Sequence, residues 1–149
     1  MDTLAACAPA PAPPATTAET LAQGTSAIFP QRPTKLFQAF QAYCSGPAHS
    51  FALTSPDHAE CQEFLSPEPT AAIILRYDGR VDDLPKLVLV YEGRQTAQGY
   101  IVTNHAYLNV PRATGPDLRV LFDDPQIDKH VIGLLRTAGG TPIEPKLLR

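Results

Sequence analysis

The chain has 149 residues, the size of one ordinary domain. Its 12 basic and 15 acidic residues give a formal net charge of -3 at pH 7, so we expect no nucleic-acid partner, because such partners require a basic surface. No run of about eighteen apolar residues occurs, which excludes a membrane-spanning helix in the printed sequence.

Residues 1–32 are predicted to be an N-terminal arm without a core. From Ala5 to Ala15 every residue except Cys7 is Ala or Pro, a composition typical of an extended spacer. The segment Leu4-Ala5-Ala6-Cys7 resembles the lipobox of bacterial lipoproteins, in which the cysteine is lipidated and becomes the mature N-terminus. The resemblance implies export under a signal peptide, a lipid anchor at Cys7 and a place in the bacterial cell envelope, on the periplasmic side of a membrane such as the outer membrane. The alternative is a disordered arm with an unmodified cysteine.

A single domain is predicted over residues 33–140, and it begins with a helix and a strand. Thr34 can cap a helix that runs to Cys44, with apolar residues at helical spacing along one face. Apolar and polar residues then alternate over His49–Thr54, which predicts a short half-buried strand. Residues 141–149 are predicted to be a tail.

A second, short helix is predicted over Ser55–Leu65. Ser55 can act as its N-cap, and Pro56 suits the first helical position, where the missing N–H is not needed. The segment Ser66-Pro67-Glu68-Pro69 is expected to end this helix.

Cysteine usage indicates an oxidising compartment. Of the three cysteines, lipidation of Cys7 would leave Cys44 and Cys61 to pair. A helix–strand–helix return can bring these two together, and a disulfide closing such a loop is worth about 3 kcal/mol. Two buried free thiols are one alternative, and Cys–His nucleophilic catalysis is another. A tetrahedral zinc site is a further alternative, with the ligands Cys44, His49, His58 and Cys61.

Four further strands and a closing helix complete the predicted domain. The strands follow from runs of aliphatic and β-branched residues separated by Gly, Pro and Asp. They cover Ala71–Tyr77, Lys86–Tyr91, Tyr100–Val110 and Leu118–Phe122. The helix begins at Asp124-Pro125. The predicted fold class is α+β, a mostly antiparallel sheet of four or five strands with helices packed on one face.

The strand over Tyr100–Val110 carries the candidate ligand face. Side chains alternate between the two faces of a strand, so His105, Tyr107 and Asn109 share one of them. This more polar set indicates either a wet sheet face or a surface for a ligand or peptide. Asp82 and Asp83 lie in a loop without the ligand pattern of a calcium site.

The expected function is that of a small exported, membrane-tethered lipoprotein. It would act as a protein-interaction module in a bacterial envelope assembly, without enzymatic activity or a cofactor. One alternative is a ligand-binding or enzymatic domain that uses the face around His105, with His58 or Asp82 as lesser candidates. Another is a cytosolic accessory protein with a Cys/His metal site.

Overall fold

A computed structural model describes residues 24–121 and 124–144. These residues form one antiparallel sheet of seven strands with three helices, so the predicted α+β class is confirmed and the predicted strand number is too low. The strands are β1 (Thr25–Phe29), β2 (His49–Ser55), β3 (His58–Phe64), β4 (Lys86–Thr96), β5 (Gly99–Val110), β6 (Leu118–Leu121) and β7 (Thr141–Ile143). The helices are α1 (Thr34–Tyr43), α2 (Pro67–Tyr77) and α3 (Pro125–Thr137).

The sheet is built around β5. Its strand order is β2-β3-β4-β5-β1-β7, and β6 also pairs with β5. One side of β5 is bonded to β4 along its whole length. The other side is shared, since β1 pairs with residues 100–104 and β6 with residues 107–110.

The two ends of the predicted domain need correction. Thr25–Phe29 falls in the predicted disordered arm, yet it forms β1 between β5 and β7 and buries Ala27 and Phe29. The predicted tail likewise contributes β7, which pairs with β1. Both short segments gain their order from pairing with distant strands, which local composition does not reveal. The lipobox-like segment at Leu4–Cys7 lies outside the described residues.

The predicted second helix is wrong, because residues 58–64 form strand β3. This strand hydrogen-bonds to β2 on one side and to β4 on the other. Ala59 and Cys61 are fully buried while the residues between them are partly exposed, which is the period of a strand. Pro56 and Asp57 form the turn of the β2–β3 hairpin, where the backbone N–H of Asp57 donates to the Ser55 hydroxyl over 3.3 Å.

The predicted strand at Ala71–Tyr77 is also wrong, because these residues belong to helix α2. Ser66 stands at its N-cap, Pro67 occupies the first turn, and Asp78 closes the helix in the left-handed conformation with φ 55°. Ile73 and Tyr77 lie one helical turn apart and pack on the sheet, whereas Leu75 is 85% exposed.

The other central elements match their predictions closely. Helix α1 buries Leu36, Phe37 and Phe40 on one face as predicted, but the predicted cap is wrong, because Thr34 is the first helical residue and Pro33 stands at the N-cap. Helix α3 begins as expected, since the Asp124 carboxylate accepts the backbone N–H of Gln126 over 2.9 Å. Strands β4 and β5 extend further into their connection than predicted, and only Ala97 and Gln98 separate them.

One glycine in this hairpin is required by a close contact. The phenol ring of Tyr100 lies directly over Gly93, so a Cβ at that position would collide with the ring. The Tyr100 hydroxyl donates a hydrogen bond to the carboxylate of Asp57, and the Arg32 guanidinium donates to the same carboxylate over 3.3 Å. Burial and the Asp57 hydrogen bond raise the pKa of Tyr100 to about 12.

The buried side chains form three clusters. The largest joins β1, β3, β4 and β5 to α1 and α3 and includes Phe40, Tyr91 and Leu135. The second joins Leu87, Leu108 and Val110 to residues of α2 and β6. The third consists of Val88, Val90 and Tyr107. The sheet therefore buries apolar side chains on both of its faces, not in one core.

Candidate functional site: the polar sheet face

Period-two alternation divides the side chains of the central strands between two faces. Tyr100, Val102, Leu108 and Val110 of β5 belong to the two clusters that contain helix residues. Tyr107, on the opposite face, clusters with Val88 and Val90 of β4 instead. We call this opposite face the polar sheet face. Its polar members include His58, Glu60, Lys86, Glu92, His105, Asn109 and Arg119.

The structure brings His105 and Tyr107 together and adds a cation to them. Their rings are stacked with centroids 6.5 Å apart and an interplanar angle of 22°. The guanidinium of Arg119, from the neighbouring strand β6, lies 4.5 Å from the Tyr107 ring centroid. Tyr107 is only 7% exposed, so this part of the face is less exposed to solvent than its sequence suggests.

The third predicted residue, Asn109, lies at the end of the face. Its amide donates to the Asp117 carboxylate over 3.2 Å, which fixes the side chain against the β5–β6 connection. It stands in register with Lys86 of β4 and Arg119 of β6. Lys86 in turn lies 5.2 Å from the ring centroid of Phe64. This end of the face therefore combines two cations with exposed aromatic surface.

A histidine between two carboxylates occupies the other end. His58 Nε2 lies 3.1 Å from a Glu60 oxygen, and its Nδ1 lies 2.9 Å from a Glu92 oxygen. In its imidazolium form His58 donates one hydrogen bond to each carboxylate. Glu60 and Glu92 come from adjacent strands, so the trio ties β3 to β4.

His105 lies half-buried between these two ends. Its Nδ1 atom is buried and has no hydrogen-bond partner in the described parts of the chain. Burial lowers the pKa of His105, because an imidazolium loses hydration there, and the charges of His58 and Arg119 act in the same direction. Glu92 and Glu60 oppose this shift of the pKa. Burial thus favours the neutral imidazole form of the ring, which stacks on Tyr107.

We expect His105 to make the protein less stable as the pH falls. The folded state binds the His105 proton less readily than the unfolded chain, whose histidine has the ordinary pKa of 6.5. The unfolded state therefore gains protons first as the pH drops through this value, and the free energy of unfolding decreases. The slope should stay well below about 1.4 kcal/mol per pH unit, because the ring keeps part of its exposure to water.

The measurement is urea unfolding of the wild type and of His105→Gln between pH 8 and pH 5, a range of about one to two units on each side of the histidine value. His105→Gln should show a smaller loss of stability at low pH than the wild type. His130→Gln, at an exposed histidine of α3, is the matched control and should keep the wild-type slope. An identical pH slope in wild type and His105→Gln would contradict this assignment.

The cysteine prediction is confirmed. Cys44 and Cys61 form a disulfide with a Cα–Cα distance of 5.7 Å, and both residues are buried. It joins the C-cap of α1 to the middle of β3, so the return is helix–strand–strand and not helix–strand–helix. The bridged sulfurs cannot serve as zinc thiolates or as a nucleophile in this state, which removes two of the four ligands of the Cys/His site. In the described ranges, no group of three or more His, Cys, Asp and Glu side chains is arranged to hold a metal.

The two lesser candidates have different positions. His58 lies on the polar sheet face, as described above. Asp82 lies in an exposed loop, where Arg80 donates two hydrogen bonds to its carboxylate at 3.0 and 2.7 Å. These hydrogen bonds lower the pKa of Asp82. Asp82 is therefore a solvated ion-pair partner.

Sequence reasoning missed the partners of His58 and the cation above Tyr107. The assignment of residues 55–65 to a helix separated His58 from Glu60, which on a strand point to the same side. The alternation of Ala59 and Cys61 with polar residues was the available signal for β3. Arg119 reaches Tyr107 only through the β5–β6 register, which no local pattern encodes.

Comparison with known proteins gave no match to a protein-family model, to a curated protein or to a solved structure. None of the helices in the described residues is long and apolar enough to cross a bilayer.

Proposed function

We propose that this chain is a small exported lipoprotein, anchored at Cys7, that docks a protein partner in a bacterial envelope assembly through its polar sheet face. The observation that carries this proposal is the buried Cys44–Cys61 disulfide. Structural disulfides persist in oxidising compartments such as the periplasm and are rare in the cytosol. With two cysteines paired, Cys7 is left as the cysteine that the lipobox-like segment would modify.

Docking through the polar sheet face is supported by where the helices pack. In this proposal all three helices share the opposite face of the sheet. Residues of α1 and α3 pack in the largest cluster and residues of α2 in the second, and Leu89 contacts both clusters. The polar sheet face would then be free to meet a partner, while the disulfide and the helices hold the sheet rigid behind it.

The charges of this face favour a protein partner with its own charge pattern. Glu60 and Glu92 surround His58 at one end, and Lys86 and Arg119 flank Asn109 at the other. Glu92 and Lys86 are six residues apart on one strand, a span of about 20 Å. A surface that is acidic at one end and basic at the other provides orientation and specificity for a complementary protein.

Site-specific photo-crosslinking in the native host tests this docking surface. A photoreactive residue replacing Leu121, which is 65% exposed and pairs with Tyr107 on the polar sheet face, should form an adduct with an envelope protein. The matched control replaces Leu75, which is 85% exposed on α2, and should form none. Equal adducts at both positions, or adducts at Leu75 alone, would refute docking through the polar sheet face. Recovery of the unmodified chain in the cytosolic fraction would refute the anchor.

A further inference from the structure

We propose that strand β2 pairs edge to edge with β2 of a second copy of this chain, in an antiparallel arrangement that joins two sheets across a two-fold axis. This inference concerns the edge of the sheet and not the polar sheet face. It therefore stands or fails separately from the proposed envelope partner.

Strand β2 is an unguarded edge. It ends the strand order, and its seven residues, HSFALTS, contain no Lys, Arg, Asp, Glu or Pro. Proteins normally protect exposed edges with charged side chains, proline or very short strands. The other two edges have such protection, since β7 has three residues including Pro142 and β6 has four including Arg119. By this criterion β2 is the edge suited to pairing.

The hydrogen-bond phase of β2 shows which backbone groups face outward. The backbone N–H of Phe64 donates to the carbonyl of Ala48 over 3.1 Å, which marks these two residues as a hydrogen-bonded pair. Bonded and non-bonded pairs alternate in an antiparallel ladder, so Ser50 and Ala52 also bond inward to β3. The N–H and C=O groups of Phe51 and Leu53 and the C=O of His49 therefore point away from the sheet, whereas the His49 N–H already donates to the Gly46 carbonyl over 3.0 Å.

These outward groups match a second copy of themselves. A two-fold axis at Phe51 places Phe51 opposite the partner's Phe51 and His49 opposite the partner's Leu53. The Phe51 pair exchanges two backbone hydrogen bonds, and in each outer pair the Leu53 N–H donates to the His49 carbonyl of the other copy. The register shift between Leu53 and Ser55 ends the regular edge at that point.

The side chains at this edge explain two exposed apolar residues. Leu53 is 56% exposed and Tyr43 is 55% exposed. In the proposed register Leu53 lies opposite the partner's His49, and the Tyr43 ring packs edge-on against His49 with centroids 5.5 Å apart. Leu53 of each copy would thus be covered by His49 and Tyr43 of the other.

The carboxylate nearest this seam already has hydrogen-bond partners. The Glu63 carboxylate lies 3.1 Å from the Tyr43 hydroxyl and 3.0 Å from His49 Nε2. Strand β2 itself contains no Lys, Arg, Asp or Glu, so pairing across the two-fold axis opposes no like charges of these residues along β2.

The helices leave room for this arrangement. Helix α1 is bound to β3 by the disulfide, so the two copies of α1 would lie over the two β3 strands. These strands would be three inter-strand spacings apart, about 14 Å, and packed helices need only about 10 Å. The remaining space is filled by the Phe51 and Leu53 side chains of both copies.

The test is sedimentation velocity of the purified full chain over a wide concentration range, together with residue-resolved amide exchange. The wild type should form dimers as its concentration rises. The amides of Phe51 and Leu53 should become protected only in the dimer, whereas those of His49, Ser50 and Ala52, which are bonded within one chain, should be protected in both states. Leu53→Lys should weaken dimerisation by about tenfold or more, because it places a charge in the seam.

The control variant is Leu75→Lys, at an exposed leucine of α2, which should dimerise as the wild type does. A chain that stays monomeric at every concentration would overturn the proposal and would leave this edge to a strand from another protein. A dimer in which the amides of Phe51 and Leu53 exchange freely would overturn it equally. The exchange pattern of the wild type decides the matter even if Leu53→Lys does not fold.

Discussion

Replacement of both Cys44 and Cys61 by alanine is expected to lower the free energy of unfolding by about 3 kcal/mol. The bridge joins residues 17 positions apart, and its loss returns the conformational freedom of that loop to the unfolded chain. Both cysteines are buried in the largest cluster, so the variant also loses some packing between α1 and β3. Urea unfolding of the full chain at neutral pH measures the change.

Two controls isolate the bridge in that experiment. A reducing agent should destabilise the wild type and leave the double-alanine variant unchanged, because only the wild type has a disulfide to lose. Cys7→Ala, outside the described residues, should unfold as the wild type does. A loss below about 1 kcal/mol in the double variant would mean that the bridge does not stabilise the fold, in contrast to the usual contribution of a native disulfide.

Leu135→Ala is expected to cost about 3 kcal/mol of stability, within the range for a leucine removed from a closed core. Leu135 is fully buried in the largest cluster and holds α3 against the sheet with the partly buried Val131. Its truncation removes apolar contacts and leaves a cavity that the rigid sheet cannot close. Thermal or urea unfolding gives the change in free energy.

The neighbouring residue provides the matched control for this prediction. Leu134 is 44% exposed, so Leu134→Ala should cost less than about 1 kcal/mol. Similar losses in the two variants would show that α3 does not dock through Leu135. A loss in Leu135→Ala alone would support the packing described above.

The parts of the fold that local patterns predicted correctly have signals within a single element. Helix α1 has an apolar stripe at helical spacing, and α3 has an aspartate cap followed by proline. Strand β5 is long and rich in aliphatic and aromatic residues. Such a strand can be predicted from its own residues, without knowledge of the strands that pair with it. In these cases local preference and tertiary contacts agree.

The secondary structure of α2 and β3 was predicted wrongly because a serine–proline pair precedes each of these elements. Ser55-Pro56 and Ser66-Pro67 both have a capping residue followed by proline, which is a helix-start pattern. Only the second one starts a helix, because the first lies in the tight β2–β3 turn, where the backbone N–H of Gly93 also donates to the Asp57 carbonyl. The choice between them depends on pairing with β4, which is non-local. Apolar runs such as Ile73–Leu75 fit a buried strand or a helix equally well.

The candidate site was predictable to the extent that it lies on one strand. His105, Tyr107 and Asn109 share a face because strand geometry requires it. The His58 trio and Arg119 come from three other strands, and their positions follow from the register of the sheet. The sequence alone does not give this strand register, so it does not show that the acidic end and the basic end lie on one surface.

We propose that the chain matures in an oxidising envelope compartment and is anchored there at Cys7. Mass spectrometry of the protein isolated without reduction from membranes of its native host tests this proposal. We predict a lipid-modified Cys7 at the mature N-terminus and a peptide pair cross-linked through Cys44 and Cys61. An unmodified Cys7 together with free thiols at Cys44 and Cys61 would contradict the claim.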